Sequence, residues 1–321
     1  MDESVGLSIV IPVFNSSQTI GRLVRDLENL RISGGFEIIL VNDGSTDNSQ
    51  QICEELARVS SVPLTVIEHT KNYGEHNAVI SGFRRVNGRY VITMDDDFQN
   101  PPEEVPHLYK SIQKRNEDVI YCDYDERQDV VWRRGGSWLA DKTANMVLDK
   151  PKNIYLSSFR CMKRFVVDEI ARNRGPFPYI DGLVFQITKN VCNVKTQHHA
   201  RMVSISNYNL SRLTRLWLNL FINFSIKPLR LGIFFGTGLI CIGALGLLSI
   251  FFGLFFLDTV SQEGNLLIMI GFLIAGSQFL MLALVGEYIA RAYLTLGKKP
   301  QSIVRKVLEP KRENSSHSGN E

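Results

Sequence analysis

Arg89-Tyr90-Val91-Ile92-Thr93-Met94-Asp95-Asp96-Asp97-Phe98-Gln99-Asn100-Pro101-Pro102 is the stretch from which the fold can be read. Its first part is apolar, rich in β-branched residues and free of turn residues, so it reads as a buried strand. Three consecutive carboxylates end it. Asn100-Pro101-Pro102 then forces extended or turn backbone. Glu103 and Glu104 follow where a helix would begin, near the positive end of its dipole. Packing three acids together costs repulsion unless a cation offsets it. Oxygen-rich clusters suit hard divalent ions, which can also bridge a diphosphate. By strand alternation Asp95 and Asp97 could share a face, with Gln99 adding a third oxygen. An isolated acidic triplet is more often a solvated turn at a strand end. The surrounding loops reverse that preference.

Upstream, Leu7 to Val13 reads as a buried strand closed by Pro12 and Asn15, and Ser16-Ser17 opens an amphipathic helix to about Leu30. Phe36 to Val41 is a second strand, ending in Asn42-Asp43-Gly44-Ser45-Thr46-Asp47, and a helix runs from about Asn48 to Val59. Pro63 to Glu68 is a third strand, followed by Asn72-Tyr73-Gly74 and a helix from about His76 to Arg85. Strand–helix alternation predicts an α/β domain with a mainly parallel sheet covered by helices. Such sheets bind ligands outside the carboxyl ends of their strands. Asn15, Asp43, Asn72 and Asp95 each fall just after a strand, which predicts one site at one edge. No glycine-rich phosphate loop of the Walker or dinucleotide type is present. A nucleotide here would be held by carboxylates and a metal. Asp43 could accept from a base N–H, or could serve as an Asx turn or helix cap. Asp47 reads as a cap.

The pieces Ser8 to Asn15, Val41-Asn42-Asp43-Gly44-Ser45, Asn72-Tyr73-Gly74-Glu75-His76 and Asp95 to Glu103 resemble family 2 glycosyltransferases of the GT-A fold. More narrowly they resemble the polyprenyl-phosphate glycosyltransferases, which include dolichyl-phosphate mannose synthases and bacterial undecaprenyl-phosphate sugar transferases. The likeness runs on to Gly286-Glu287-Tyr288-Ile289-Ala290-Arg291. The Asn-Tyr-Gly-x-His and Gln-Asn-Pro-Pro-Glu pieces are closest to the aminoarabinose-type bacterial group. The resemblance implies inverting transfer of a sugar from a nucleotide-sugar, UDP rather than GDP, to a polyprenyl phosphate acceptor. It implies donor binding by Pro12, Asn15, Asp43, Asn72, Asp95 and Asp96, with Asp43 on the nucleobase and Asp95 on the ribose and diphosphate side. Mg2+ or Mn2+ would be held by Asp95, Asp97 and Gln99, with Asp97 in the catalytic set.

Arginines suit the acceptor phosphate because their fork matches its oxygens. Arg127, Arg133 and Arg134 cluster around Trp132; Arg133 and Arg134 fit a basic helix near anionic lipid equally well. Arg127 matches the bacterial relatives. Arg160, in Ser157-Ser158-Phe159-Arg160, and Arg201, after Gln197-His198-His199-Ala200, complete the set expected to hold phosphate. Arg127 and Arg160 are also expected to be catalytic. Relatives often carry Asp where Ser158 stands, and that Asp is a candidate base. A lipid phosphate is already ionised near neutral pH and needs positioning more than a base. The paired histidines lack a third ligand at zinc spacing.

The 321 residues suffice for one sizeable domain and more. Leu231 to Leu257 and Leu266 to Gly286 contain no charged residue. As helices they span about 40 and 30 Å, enough to cross a bilayer core of about 30 Å. Leu210 to Ile226 places apolar residues at helical spacing beside Arg212 and Arg215, an interfacial helix. The expected organisation is a catalytic domain over 1–208, a juxtamembrane helix over 209–228, a two-helix transmembrane hairpin over 229–291 and a tail over 292–321 with a disordered end. Lysine and arginine flank the hairpin but are absent from Asp258 to Asn265, which predicts a bacterial inner-membrane protein with both termini and the site cytoplasmic. Met1-Asp2-Glu3 does not open a signal peptide. Five cysteines without metal spacing fit a reduced compartment. Small residues Gly236, Gly238, Gly243, Ala244 and Gly246 would let a neighbouring helix approach, as in a homo-oligomer. A net charge of +3 gives no case for nucleic acid. Two further readings stand: a polysaccharide synthase, against which speaks the missing Gln-x-x-Arg-Trp motif, and a non-catalytic membrane protein with a degenerate transferase domain.

Overall fold

The computed structural model describes residues 5–124, 151, 154–175, 178–196 and 300–310, together with helical positions between 271 and 293. Arg127, Arg133, Arg134 and Arg201, the 209–228 helix and most of the two uncharged runs lie outside the described residues. The chain divides into two compact units, residues 1–208 with 300–321, and residues 209–299.

The first unit is built on β1 (Leu7–Val13), β2 (Phe36–Asn42), β3 (Leu64–His69) and β4 (Tyr90–Thr93), interleaved with α1 (Ile20–Glu28), α2 (Ser49–Val59) and α3 (Glu75–Phe83). Then come α4 (Val105–Lys114), β5 (Val119–Tyr124), β6 (Arg160–Lys163), α5 (Arg164–Arg172), α6 (Ile180–Ile187), β7 (Val191–Thr196) and β8 (Val304–Leu308). They form one eight-stranded sheet, ordered β7-β5-β6-β4-β1-β2-β3-β8.

The β4-β1-β2-β3 half is parallel, as the alternation requires. The expectation of a mainly parallel sheet holds for six of its eight strands, since β5 and β7 pair in parallel and run in the direction of β4. β6 runs antiparallel to both β4 and β5, and β8 antiparallel to β3. The sheet is mixed because β6 and β8 oppose the other six strands. β8 is formed by residues that read from sequence as a tail.

Alternation along β1 explains the two layers. Leu7, Ile9, Ile11 and Val13 join Leu23, Val24 and Leu27 of α1, Cys53 and Leu56 of α2 and Leu108 and Ile112 of α4 in one core, all buried. Each such side chain contributes roughly 1.5–3 kcal/mol on burial. Val10 faces the other side, under α3. A Cβ on Gly82 would lie 2.4 Å from Val10 Cγ1 and 3.3 Å from Val41 Cγ2, so only glycine lets α3 lie this close to the sheet. That close packing fixes the start of α3, Glu75 and His76, at the carboxyl edge of the parallel strands.

Among the described residues no helix is long and apolar enough to cross a membrane. The described helical positions between 271 and 293 leave Leu282, Ile289 and Tyr293 exposed.

Candidate active site

Four loops gather at the carboxyl ends of β1, β2, β3 and β4. They are tied to one another by their own polar side chains. Asn15 takes a left-handed φ of 53°; its Oδ1 accepts from Thr46 N at 2.8 Å, and its N–H donates to Ser45 Oγ at 3.0 Å. Gly44, at φ 66°, brings the second loop against the third: a Cβ there would sit 2.3 Å from the Lys71 carbonyl carbon. A side chain at that position is therefore excluded both by space and by backbone conformation. Asp47 Oδ1 accepts from Ser49 N and Oγ, closing the start of α2, while Oδ2 accepts from Ser17 N.

Asp43 is buried. Its Oδ2 accepts from Gly74 N at 2.7 Å and Tyr73 N at 3.1 Å, and its Oδ1 from Tyr73 N at 2.9 Å and His69 Nδ1 at 2.7 Å. A carboxylate has about four lone-pair positions. Asp43 thus spends itself holding the 72–74 loop, where Asn72 Oδ1 accepts from Gly74 N at 3.1 Å. The sequence suggested a direct partner for a base; the structure gives Asp43 the shaping of the loop that would meet one. Pro12 lies inside β1, half-buried, one residue before the strand ends.

The acidic triplet does not continue β4. The strand ends at Thr93, and Phe98 follows at φ 61°, so alternation cannot place Asp95 and Asp97 on a common face. Asp96 turns back to the first loop: Oδ2 accepts from Phe14 N at 3.3 Å and from Ser16 Oγ. Burial pushes its carboxyl up to about 7. Asp95 Oδ2 accepts from Ser158 Oγ at 2.5 Å. Burial, and then the neighbouring Glu75, push Asp95 up to about 7 as well, against the Ser158 bond. Both remain half-exposed at the cleft, so it is crowding by protein rather than full enclosure that raises them. Asp97 Oδ1 accepts from Gln99 N at 3.1 Å, a turn-forming bond. Gln99 itself is half-buried.

Arg160, expected from the sequence to hold phosphate, is enclosed in the protein. It is 2% exposed. Its Nη1 donates to Asp181 Oδ1 and its Nε donates to Thr93 Oγ1 at 3.2 Å. Burial alone would lower its pKa, but the facing Asp181 outweighs that and raises it. Antiparallel pairing of β6 with β4 sets Arg160 beside Thr93, which turns the side chain inward.

Two acids that sequence reasoning passed over complete the cluster. Glu75 opens α3 at the cleft rim, exposed to water yet crowded by protein, which raises its carboxyl; Arg160 opposes the rise, and Asp181 and Asp97 add to it. Asp181 is a lone acid in the apolar run Ile180-Asp181-Gly182-Leu183-Val184-Phe185, and a buried acid demands a cation. That demand was readable. His76, one residue on, packs edge-to-face on Tyr179 at 5.1 Å, and burial lowers its pKa to about 4.

Glu75, Asp95 and Asp181 thus interact with the buried Arg160 guanidinium, Asp97 acts on Glu75 and Asp95, and the carboxyls of Glu75 and Asp95 are raised. This excess of hard oxygen fits a divalent cation in chemistry. In geometry the cluster is not closed: among the described residues no three His, Cys, Asp or Glu side chains converge as a metal site.

A sheet in this order, with polar loops collected at the carboxyl edge of its parallel strands, is a GT-A-like α/β fold. The chain belongs to glycosyl transferase family 2, whose sequence profile matches residues 8–171. It is 32% identical over 320 residues to an undecaprenyl-phosphate 4-deoxy-4-formamido-L-arabinose transferase of Pseudomonas savastanoi pv. phaseolicola, covering 97% of this chain and 94% of the relative. The transferase of the same name from Klebsiella pneumoniae is 30% identical over 308 residues, covering 94% and 93%. Among solved structures, glucosyl-3-phosphoglycerate synthase from Mycobacterium tuberculosis, in complex with Mn2+, UDP and glucosyl-3-phosphoglycerate, aligns with a TM-score of 0.53 at 16% identity over 68% of this chain and 78% of its own. That likeness is one of fold.

Proposed function

We propose that this enzyme transfers a sugar, with inversion, from a UDP-sugar to a polyprenyl phosphate of the bacterial inner membrane, giving a lipid-phosphate-linked sugar for the cell envelope. The observation that carries the reading is the crowding of carboxyls at the strand ends, where Glu75 and Asp95 are raised by burial and by neighbouring acids, in a chain matched along its length by undecaprenyl-phosphate sugar transferases. Asn15, Asn72 and the backbone of the 72–74 loop, held by Asp43, form the base and ribose side of the donor site. Pro12 and Asp96 fix the floor between the first and fourth loops.

Asp95, Asp97 and Gln99 would hold Mg2+ or Mn2+. When bound, such an ion offsets the charge of the donor diphosphate and of the departing nucleoside diphosphate. Repulsion in the bare cluster has the right sign to favour this, since a cation relieves the Glu75 and Asp97 charges that, after burial, raise Asp95. Ser158 orients Asp95 by its hydrogen bond. Arg160 and Asp181 set the resting charge beneath the site.

The acceptor is a phosphate monoester whose last proton leaves near about pH 6, so its oxygen attacks the sugar C1 without a dedicated base. The C1–oxygen bond to the diphosphate breaks as the new one forms. Ser158 in place of a carboxylate is compatible with this chemistry. Screening of the acceptor phosphate falls to Arg127, Arg133 and Arg201.

The uncharged runs 231–257 and 266–286 are read as a transmembrane hairpin, with 209–228 at the interface and both termini cytoplasmic. Exposed Leu282, Ile289 and Tyr293 support an apolar surrounding for that unit. A two-dimensional substrate explains the anchor, because an undecaprenyl chain cannot leave the bilayer.

Radiolabelled UDP-sugars offered to the purified full-length protein with undecaprenyl phosphate test the reading. Lipid-linked label is expected, dependent on divalent cation and abolished in Asp97→Ala. No lipid-linked product with any donor would overturn the transferase reading; product surviving Asp97→Ala would overturn the metal assignment.

A further inference from the structure

Asp43, His69, Ser81 and Ser302 form one unbroken chain of hydrogen bonds. His69 Nδ1 donates to Asp43 Oδ1 at 2.7 Å, His69 Nε2 pairs with Ser81 Oγ at 2.9 Å, and Ser81 Oγ pairs with Ser302 Oγ at 2.9 Å. Asp43, His69 and Ser81 are all buried. Ser302 is 221 positions from Ser81 and belongs to the segment that follows residues 209–299 in sequence.

The order Asp–His–Ser has the look of a nucleophilic triad. Its burial removes that reading. Ser81 Oγ lies under the β3–β8 edge and meets another hydroxyl, where a triad serine would face an open cleft. The chain of bonds has a different consequence. His69 is the last residue of β3, and the β3–β8 register shifts between Glu68 and His69, pairing His69 with Val304. Just beyond, Thr70 N donates to the Ile303 carbonyl at 3.0 Å, and Thr70 Oγ1 bonds Tyr73 OH at 3.0 Å. The 300–308 segment therefore grips β3 where it becomes the 70–74 loop. Through His69 it also sets the Asp43 carboxylate that holds Tyr73 N and Gly74 N.

We propose that Ser302, Ser81 and His69 are positioning residues for the donor: the segment after the second unit completes the nucleotide loop by orienting Asp43. This rests on the reading of that loop as part of a nucleoside-diphosphate site. In the tautomer that Asp43 selects, Nδ1 carries the proton and Nε2 accepts from Ser81, which in turn accepts from Ser302. Ser81 Oγ then donates to His69 Nε2 and accepts from Ser302, and removing the Ser302 hydroxyl leaves Ser81 without that donor. The segment is also held by surface contacts, such as Arg85 Nη1 to Glu309 Oε1 at 3.0 Å, which do not touch the relay.

The test uses the purified full-length protein. UDP and, separately, GDP are titrated in the presence of Mn2+, and KM is measured for donor and for lipid acceptor. Ser302→Ala is expected to weaken nucleotide binding and raise the donor KM about three- to tenfold, with acceptor KM and thermal midpoint little changed. His69→Gln is expected to do more, Ser302→Thr to restore wild-type binding, and Glu309→Gln to change nothing. Unchanged nucleotide affinity in both Ser302→Ala and His69→Gln, beside a wild type that binds, would overturn this inference alone. Equal losses for donor and acceptor, tracking a fall in thermal midpoint, would overturn it in favour of a merely structural strand. A wild type that binds neither nucleotide would overturn the donor reading, and this inference with it.

Discussion

Asp95 and Asp96 leave the same strand end one residue apart, and the structure uses them differently. Asp96 turns back to accept from Phe14 N and Ser16 Oγ, knitting the fourth loop to the first. Asp43 and Asp47 behave the same way, filling their oxygens with loop N–H groups. Asp95 instead accepts a side-chain bond from Ser158 and interacts with Glu75, Asp97 and Arg160. One set of acids builds the cleft; the other stores negative charge inside it. Proximity to a strand end does not tell them apart. What separates Asp43, Asp47 and Asp96 from Asp95 is whether backbone donors already use the carboxylate.

The sharpest break of that comparison is at Arg160. As the interior cation of the charged set it should be indispensable to folding. Arg160→Met is expected to cost about 3–5 kcal/mol, because Asp181 is left buried and unpaired. Denaturant unfolding of the full-length protein reads this directly. A normally stable variant with only a raised acceptor KM would instead return Arg160 to the phosphate-binding role suggested by the sequence.

Next come the charged acids themselves. Asp95→Asn and Asp97→Asn should each lower kcat by about 10^2–10^3. Their thermal midpoints should hold or rise, since repulsion is relieved and an amide oxygen at position 95 can still accept from Ser158. Asp96→Asn should show the opposite pattern, with lower stability and a smaller loss of rate. Chelation of divalent cations should reproduce the first pattern and leave the second untouched. Equal behaviour of the Asp95 and Asp96 variants would erase the distinction.

His76 probes the same boundary by pH. Burial lowers it from the usual 6.5 to about 4. Below 6.5 the unfolded chain takes a proton that the folded chain refuses. The stability this provides is complete above about pH 6.5 and is lost as pH falls through about 4. At about 1.4 kcal/mol per pH unit the full loss is on the order of 3–4 kcal/mol. His76→Phe keeps the edge-to-face contact with Tyr179 and should flatten that part of the stability–pH curve. Thermal midpoints at pH 5 and pH 7, in both proteins, measure it.

How much was legible follows from how far each constraint reaches along the chain. β1 through β4 and the helices between them were readable because each strand is a short apolar run bounded by turn residues, a local property. The Asp43, Asn72 and Asp95 loops were placed correctly at one edge by topology alone. The burial of Arg160 was not legible because its partner, Asp181, lies 21 residues on and β6 pairs antiparallel to β4. β8 escaped notice because Val304-Arg305-Lys306-Val307-Leu308 carries its charges on an edge, where Arg305 meets Glu68 and Lys306 meets Glu54. The relay through Ser302 could not be read at all, since nothing local marks a serine 221 residues from its partner.

The smallest expected effect refines the comparison most finely. Ser158 Oγ donates to Asp95 Oδ2 and is the polar bond that lowers the Asp95 pKa against burial and Glu75. Ser158→Ala should therefore leave Asp95 still less willing to ionise. The fold should lose only about 0.5–1.5 kcal/mol, because one hydrogen bond is removed in a cleft that water can enter. Mn2+ affinity should fall by about tenfold, the lower range for the loss of a group that orients a metal ligand. Asp96 receives no bond from Ser158, so the tie between the first and fourth loops should survive. A Ser158→Ala protein with unaltered Mn2+ affinity would mean that Asp95 belongs with Asp96 among the builders, and that the charge store rests on Glu75 and Asp97.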